Sequence, residues 1–254
     1  MAGIVAAAIG AVRALVALPF AAFRELLEAV PGIRLAVSYG LWYPTLAFNR
    51  LVYVIFPGWR PMYSLVDPEN RLILGAVPLF VADVTALHGS HGVTAVLNMC
   101  YEWEDHVALY ESLGVRYHRE RVIDYTVPSR EQLLRAARFV DQCVTDGRTL
   151  YCHCKAGKGR STCALLAYYL VFAGASPEAA WTAMKKRRHV VSRKHVTPGI
   201  QSLWADVQSG AVSPEGVRSG SDVAAAAAAA AAAGDAEKAG PGRRHAGAVV
   251  PRDE

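Results

Sequence analysis

The sequence predicts an α/β domain built on a central, mostly parallel sheet flanked by helices. Three observations predict it: short apolar runs beside turn-forming residues, capped helical stretches between and after those runs, and a length of 254 residues, enough to bury one substantial core. Leu72-Ile73-Leu74, Val93-Thr94-Ala95-Val96-Leu97 and Leu150-Tyr151-Cys152-His153 read as short buried strands. Val122-Ile123 reads as the end of another, running into a loop that carries Asp124. Ser129-Arg130-Glu131-Gln132 has the form of a capping box opening a helix toward Cys143. Ser176-Pro177 sets a cap and a first-turn proline before a helix from Glu178 to Arg187. A further helical run, Ser161 to Phe172, follows the last strand across a short loop.

The composition divides the chain into three parts: an apolar targeting or membrane-associated segment over residues 1–60, a catalytic domain over 61–208 and a low-complexity tail over 209–254. From Met1 to Phe23 the only charge is Arg13 and Pro19 interrupts an Ala-rich run, a pattern closer to an organelle-targeting or membrane-surface helix than to a spanning one. Tyr39, Trp42, Tyr43, Phe48, Tyr53, Phe56 and Trp59 follow among aliphatic residues. Such rings suit the boundary between lipid and water, and they equally suit a cover for the catalytic core. The tail passes into an alanine tract, Ala224 to Ala233, and a Pro/Gly/Arg-rich end, with nothing to pack a core, so disorder is expected there.

A formal net charge of +5 favours anionic partners. Nucleic acid is not expected among them, because neither a base-stacking motif nor a recognition-helix pattern accompanies the basic residues. Five scattered cysteines suggest no disulfide framework and fit a reducing compartment.

The strongest chemical signal is Cys154 followed six positions later by Arg160, with Gly157 and Gly159 between, after a strand and before a helix. A loop that closes on a phosphate turns its backbone N–H groups inward, which glycine permits, and the helix adds its positive end to the same spot. These groups lower a thiol's pKa and make Cys154 a nucleophile. Arg160 offers a planar fork matching two phosphoryl oxygens. Ser161 can donate its hydroxyl to the sulfur. The catalytic candidates are therefore Cys154, Arg160 and Ser161, and Lys155, Ala156, Gly157, Lys158, Gly159 and Arg160 are the phosphate-binding residues. A leaving alkoxide needs a proton, and Asp124, on a loop before a capped helix, is the expected acid. Asp105 is the second choice, and Asp141 and Asp146 read as surface acids. Cys100, Cys143, Cys152 and Cys163 read as buried structural residues. No metal and no cofactor are expected.

Lys155 and Lys158 make the loop more cationic than the reaction requires, and Lys185-Lys186-Arg187-Arg188-His189 with Arg193-Lys194-His195 forms a second basic cluster. The cluster reads either as a seat for acidic headgroups or as a solvated helix end.

At these residues the chain resembles the dual-specificity branch of the cysteine-dependent protein tyrosine phosphatases, and Leu74-Gly75-Ala76-Val77-Pro78 is similar to that branch's strand-and-turn opening. It resembles more closely the mitochondrial protein-tyrosine-phosphatase-like phosphatidylglycerophosphate phosphatases. His153 to Ser161 is similar to their loop, Asp124 to Ser129 to their acid-bearing segment, and Tyr43-Pro44-Thr45-Leu46 to part of their apolar N-terminal segment. Asn98 to Glu104 falls on their Glu-Glu-Tyr-Glu motif, with Tyr101 in place of the first glutamate and Trp103 in place of the tyrosine, so that Glu102 and Glu104 carry over. The resemblance implies a dual-specificity phosphatase fold and a phosphocysteine intermediate. It implies removal of the terminal phosphate from phosphatidylglycerophosphate, toward phosphatidylglycerol and cardiolipin, at the mitochondrial inner membrane or, alternatively, a plastid or other organelle membrane. The implied partners are an anionic phospholipid substrate and a membrane surface. Cys154-Lys155-Ala156-Gly157-Lys158-Gly159-Arg160 is also the loop of the lipid phosphatase tumour suppressor family, so a phosphoinositide is an alternative substrate, and a phosphoprotein is another.

Overall fold

The computed structural model describes residues 31–190 and 197–219. In chain order the described elements are α1 (Pro31–Ile55), β1 (Tyr63–Asp67), β2 (Leu72–Ala76), α2 (Val81–His91), β3 (Val93–Asn98), α3 (Val107–Ser112), β4 (Arg116–Arg119), α4 (Arg130–Thr145), β5 (Thr149–Cys154), α5 (Arg160–Phe172), α6 (Pro177–Arg187), α7 (Pro198–Gln208) and α8 (Pro214–Ser219). The strands form one sheet in the order β1-β2-β5-β3-β4, antiparallel between β1 and β2 and parallel elsewhere.

Alternation along the strands decides which side chain enters which layer. Leu72 and Leu74, Ala95 and Leu97, Leu150 and Cys152 point to one face, where α4 and α5 cover them with Leu133, Leu134, Ala137, Leu165 and Leu166. Ile73, Val96 and Tyr151 point to the other face and meet Val84 and Leu87 of α2 and Tyr110 of α3. Covered on both sides, β2 and β5 lose the apolar/polar alternation of a half-exposed strand, which is why they read as continuous apolar runs. β5 enters the sheet between β2 and β3, although the chain makes those two first. The strand order reverses there, and a crevice opens beyond the carboxyl ends of the strands, the usual ligand position in such sheets.

The expected caps form. Ser129 Oγ accepts from the Gln132 amide at 3.2 Å while the Gln132 side chain accepts from the Ser129 amide at 3.0 Å, and Ser176 Oγ accepts from the Ala179 amide at 3.3 Å. These bonds satisfy amides that a helix start leaves open.

Three expectations change. Val122-Ile123 is not a strand; the parallel neighbour of β3 is Arg116–Arg119, a half-buried edge strand without an apolar run to betray it. Packing does not stop at residue 208, because Val212 and Val217 are buried in the main core, two isolated valines that leave no periodic signal. Asp141 is buried and paired with Arg218 at 2.7 Å rather than lying on the surface. Where the sequence left two readings of its rings open, α1 has two unlike faces. Trp42 and Leu46 enter the main core and Tyr53 is also buried, while Tyr39, Tyr43, Phe48, Leu51 and Val54 face outward with Phe56 and Trp59 beyond the helix end. No described helix is long and apolar enough to cross a membrane. Residues 1–30, the cluster Arg193-Lys194-His195 and the alanine tract lie outside the described residues.

Candidate active site

β5 ends at Cys154 and α5 begins at Arg160, so the loop between them sits at the reversal of strand order with a helix N-terminus behind it. Two glycines let it close. Gly157 has φ of +64°, and a Cβ there would lie 2.1 Å from the carbonyl oxygen of Gly75 on β2; a Cβ on Gly75 would in turn meet the Tyr151 hydroxyl at 2.1 Å. The loop's outer side is pinned by one buried arginine. Arg188 donates to the carbonyls of Gly157 at 2.9 Å and Ala156 at 3.2 Å, to those of Met62 at 2.9 Å and Pro61 at 3.1 Å, and to Ser64 Oγ at 3.3 Å. Tyr53 also donates to the Ala156 carbonyl, at 3.2 Å. In a trans peptide the N–H opposes the C=O, so carbonyls tied outward turn the amides of Gly157 and Lys158 inward.

Cys154 lies at the bottom of this cradle, buried, with the Ser161 hydroxyl donating to its sulfur at 3.3 Å. Burial opposes its ionisation, but the Arg160 charge, the Ser161 hydroxyl and the amides of Ser161 and Lys158 outweigh it and bring the thiol down to about 6. Cys154 is therefore a thiolate at neutral pH.

Arg160 is held from behind. Its Nη1 donates to Glu102 at 2.8 Å and to the Val122 carbonyl at 2.6 Å. Nε has no hydrogen-bond acceptor among the described residues and Nη2 is answered by the Asp124 carboxylate, so these two donors of the fork become available to phosphoryl oxygens when that carboxylate is displaced. Asp124 Oδ1 stands 3.0 Å from Nη2, and its other oxygen pairs with Lys155. Burial would raise the Asp124 pKa, but Arg160 and Lys155 prevail and hold it below the usual carboxylate range. Lys155 also donates to Thr45 Oγ1 of α1 at 2.7 Å and lies near the rings of Trp42 and Tyr125. Among the described residues no three His, Cys, Asp or Glu side chains gather as metal ligands.

A family described as "Tc-R-P: Polymorphic toxin system, DSP-PTPase phosphatase" matches residues 81–175. The human phosphatidylglycerophosphatase and protein-tyrosine phosphatase 1 is 32% identical over 171 residues, covering 63% of this chain and 80% of that protein. The chain belongs to the protein-tyrosine-phosphatase-like phosphatidylglycerophosphate phosphatases. Members of this branch of the dual-specificity phosphatases are cysteine-dependent, metal-independent phosphoric monoester hydrolases. The phosphatidylglycerophosphate phosphatase PTPMT1 of Arabidopsis thaliana is also 32% identical, over 151 residues, and there the chain spans only 43% of the relative's length. A crystal structure of PTPMT1 superposes with a TM-score of 0.51 at 26% identity, covering 59% of this chain and 98% of the other. PTPMT1 in complex with PI(5)P gives 0.53 at 24% identity over 59% and 99%.

The sequence-predicted candidates of this family site, Cys154, Asp124, Arg160 and Ser161, come together in one crevice, with Lys155 beside them. Lys158 does not join the others: its backbone faces the sulfur, but its side chain leaves on the far side of the loop. Asp105 is removed as a rival acid, because it is buried with His153, 2.7 Å away, and does not overhang the crevice. Glu104 is exposed, with Arg119 3.6 Å away. Sequence reasoning carried Glu102 over from the family's acidic motif but gave it no role. This buried carboxylate accepts from Arg160, from the Asp124 amide at 2.6 Å and from Ser38 on α1, and so fixes the arginine, the acid-bearing segment and the first helix at one point. That motif was the signal that marked it. Sequence reasoning also missed the role of Arg188, which it read only as one of a run of cations.

Proposed function

We propose that this phosphatase acts on a lipid phosphate monoester, dephosphorylating phosphatidylglycerophosphate to phosphatidylglycerol on the way to cardiolipin, through a phosphocysteine. The observation that carries the lipid reading is the double face of α1. On one side Thr45 holds Lys155, Trp42 packs within 6.0 Å of the Arg160 guanidinium and Tyr53 supports Ala156. On the other, Tyr43, Phe48, Leu51 and Val54 are exposed as one apolar strip. Burying that strip in a lipid surface would bring the crevice to the headgroups. The mitochondrial inner membrane is the compartment that the family resemblance favours, with a plastid membrane as the alternative.

In the proposed reaction the terminal phosphate replaces the Asp124 carboxylate on Arg160 and Lys155. The arriving negative charge raises the proton affinity of Asp124, which then holds the proton that the leaving group needs. The Cys154 thiolate attacks phosphorus in line; an S–P bond forms, the P–O bond to glycerol breaks, and Asp124 gives its proton to that oxygen. Asp124, now a carboxylate, takes a proton from water as the water oxygen attacks phosphorus and the S–P bond breaks. Ser161 stabilises the departing thiolate, and Arg160 opposes the equatorial charge in both steps.

A second reading, a phosphoinositide as substrate, is favoured by the PI(5)P found in the complex with PTPMT1. The test is a panel: pure protein, chelator present, with vesicles carrying phosphatidylglycerophosphate or phosphatidylinositol 5-phosphate, and with phosphopeptides. The expected result is fastest release from phosphatidylglycerophosphate, reduced to background in Cys154→Ser. Faster turnover of phosphopeptides than of either lipid would overturn the lipid reading.

A further inference from the structure

On the far side of the loop, between the segment after α1 and the end of α6, lies a cavity of about 260 Å³. Arg60, Lys158, Lys185, Lys186 and Arg187 line it, with Arg188 in its wall and His189 at its edge, and no acid is among the lining residues. Among the described residues none of these cations forms an ion pair. Arg188 spends its guanidinium on carbonyls, but Arg60 keeps a buried Nε without a hydrogen-bond acceptor among the described residues, and the Lys185 ammonium lies 4.6 Å over the Trp181 ring.

Cations in the last turn of a helix favour its dipole, which accounts for Lys185, Lys186 and Arg187 as a solvated helix end. It does not account for Arg60 and Lys158, which reach the same cavity from two other parts of the chain. Burial, together with the charges of Arg60 and Arg188, brings the Lys158 pKa down to about 8, the sign of an ammonium brought close to like charges, with no acid paired to it among the described residues.

We propose that this cavity is a second phosphate site, which takes the phosphate of an anionic phospholipid headgroup while the catalytic loop holds the scissile one. It rests on the lipid reading of the catalytic site. The cavity is smaller than the roughly 300–1,000 Å³ of pockets that enclose drug-sized molecules, so it suits a headgroup rather than an acyl chain. Its rim carries Trp59, which is 76% exposed and continues the apolar strip of α1 through Ile55 and Phe56. An indole at the edge of a basic hollow is placed where lipid and water meet. The phosphate could belong to the substrate itself, as its diester, or to a neighbouring lipid.

The test uses Lys185→Ala/Lys186→Ala in the full chain, with Lys185→Arg/Lys186→Arg as the charge-keeping control. Turnover of p-nitrophenyl phosphate, which reaches only the catalytic loop, is expected to stay unchanged in both and reports an intact fold. Flotation with phosphatidylcholine vesicles containing phosphatidylglycerol, measured on each variant in a Cys154→Ser background, is expected to show affinity reduced on the order of tenfold in the alanine pair only. KM is also measured for a short-chain, monomeric phosphatidylglycerophosphate. A rise in that KM assigns the site to the substrate's own diester, whereas weakened flotation with that KM unchanged assigns it to a neighbouring lipid. Unchanged flotation together with unchanged KM would overturn the proposal. If the wild-type chain is inert on phosphatidylglycerophosphate but floats through these lysines, the substrate reading falls and the second site stands.

Discussion

Lys155 and Lys158 stand three residues apart in one loop and meet opposite surroundings. Lys155 is buried with its charge answered by Asp124 and its ammonium bonded to Thr45, between two aromatic rings. Lys158 faces Arg60 and Arg188 and has no ion-pair partner among the described residues. The difference separates two uses of positive charge. A cation with a resident counter-charge fixes the structure around it, and a cation gathered with others keeps a place for an anion that comes and goes.

The compensated side breaks most visibly at Asp124. Asp124→Asn is expected to lower kcat on an alkyl phosphate by about 10²–10⁴-fold, the usual worth of a general acid. It should also let inorganic phosphate inhibit at lower concentration, because the carboxylate that occupies Arg160 and Lys155 is gone. Steady-state inhibition measures both, and weaker inhibition by phosphate would mean that Asp124 does not compete for that position.

A paired substitution sharpens the contrast between the lysines. Lys155→Met should destabilise the fold by about 1–3 kcal/mol in urea, since it leaves the buried Asp124 carboxylate half-satisfied and removes the bond to Thr45 Oγ1. Lys158→Met should be neutral or stabilising, by less than about 1 kcal/mol after solvent screening. Its folded-state pKa is depressed, so the cost of the wild-type charge is full below about pH 8 and fades as pH rises from there toward the ordinary lysine value. Any advantage of Lys158→Met should therefore shrink over that window.

The smallest effect belongs to Ser161. The active form of Cys154 is the thiolate, so kcat/KM should fall as pH is lowered through about 6. Ser161→Ala removes one of the bonds that favour the anion and should move that limb upward by about one pH unit, read from the pH profile with an aryl phosphate.

What could be read in the sequence was what short-range chemistry writes there. The loop from Cys154 to Arg160 declares itself because a thiolate, glycines and a guanidinium must follow one another on a strand-to-helix turn. The capping box at Ser129 and the cap at Ser176 were legible for the same reason. What stayed hidden depends on partners far along the chain: Glu102 on Arg160 across 58 positions, Asp105 on His153 across 48 and Asp141 on Arg218 across 77. β4 stayed hidden because an edge strand of sequence Arg-Tyr-His-Arg has no apolar run. Lys158 and Lys155 looked alike for the same kind of reason, since charge is local and its neutralisation is not.

Arg188 works as a buckle: one side chain fastens the back of the catalytic turn to the strand start at Met62–Ser64 and to the end of α6. The seven residues from Cys154 to Arg160 are therefore not a portable cassette. Grafted onto another parallel sheet without an equivalent clasp, they would arrive with the right atoms and no means of keeping their amides aimed at the ligand.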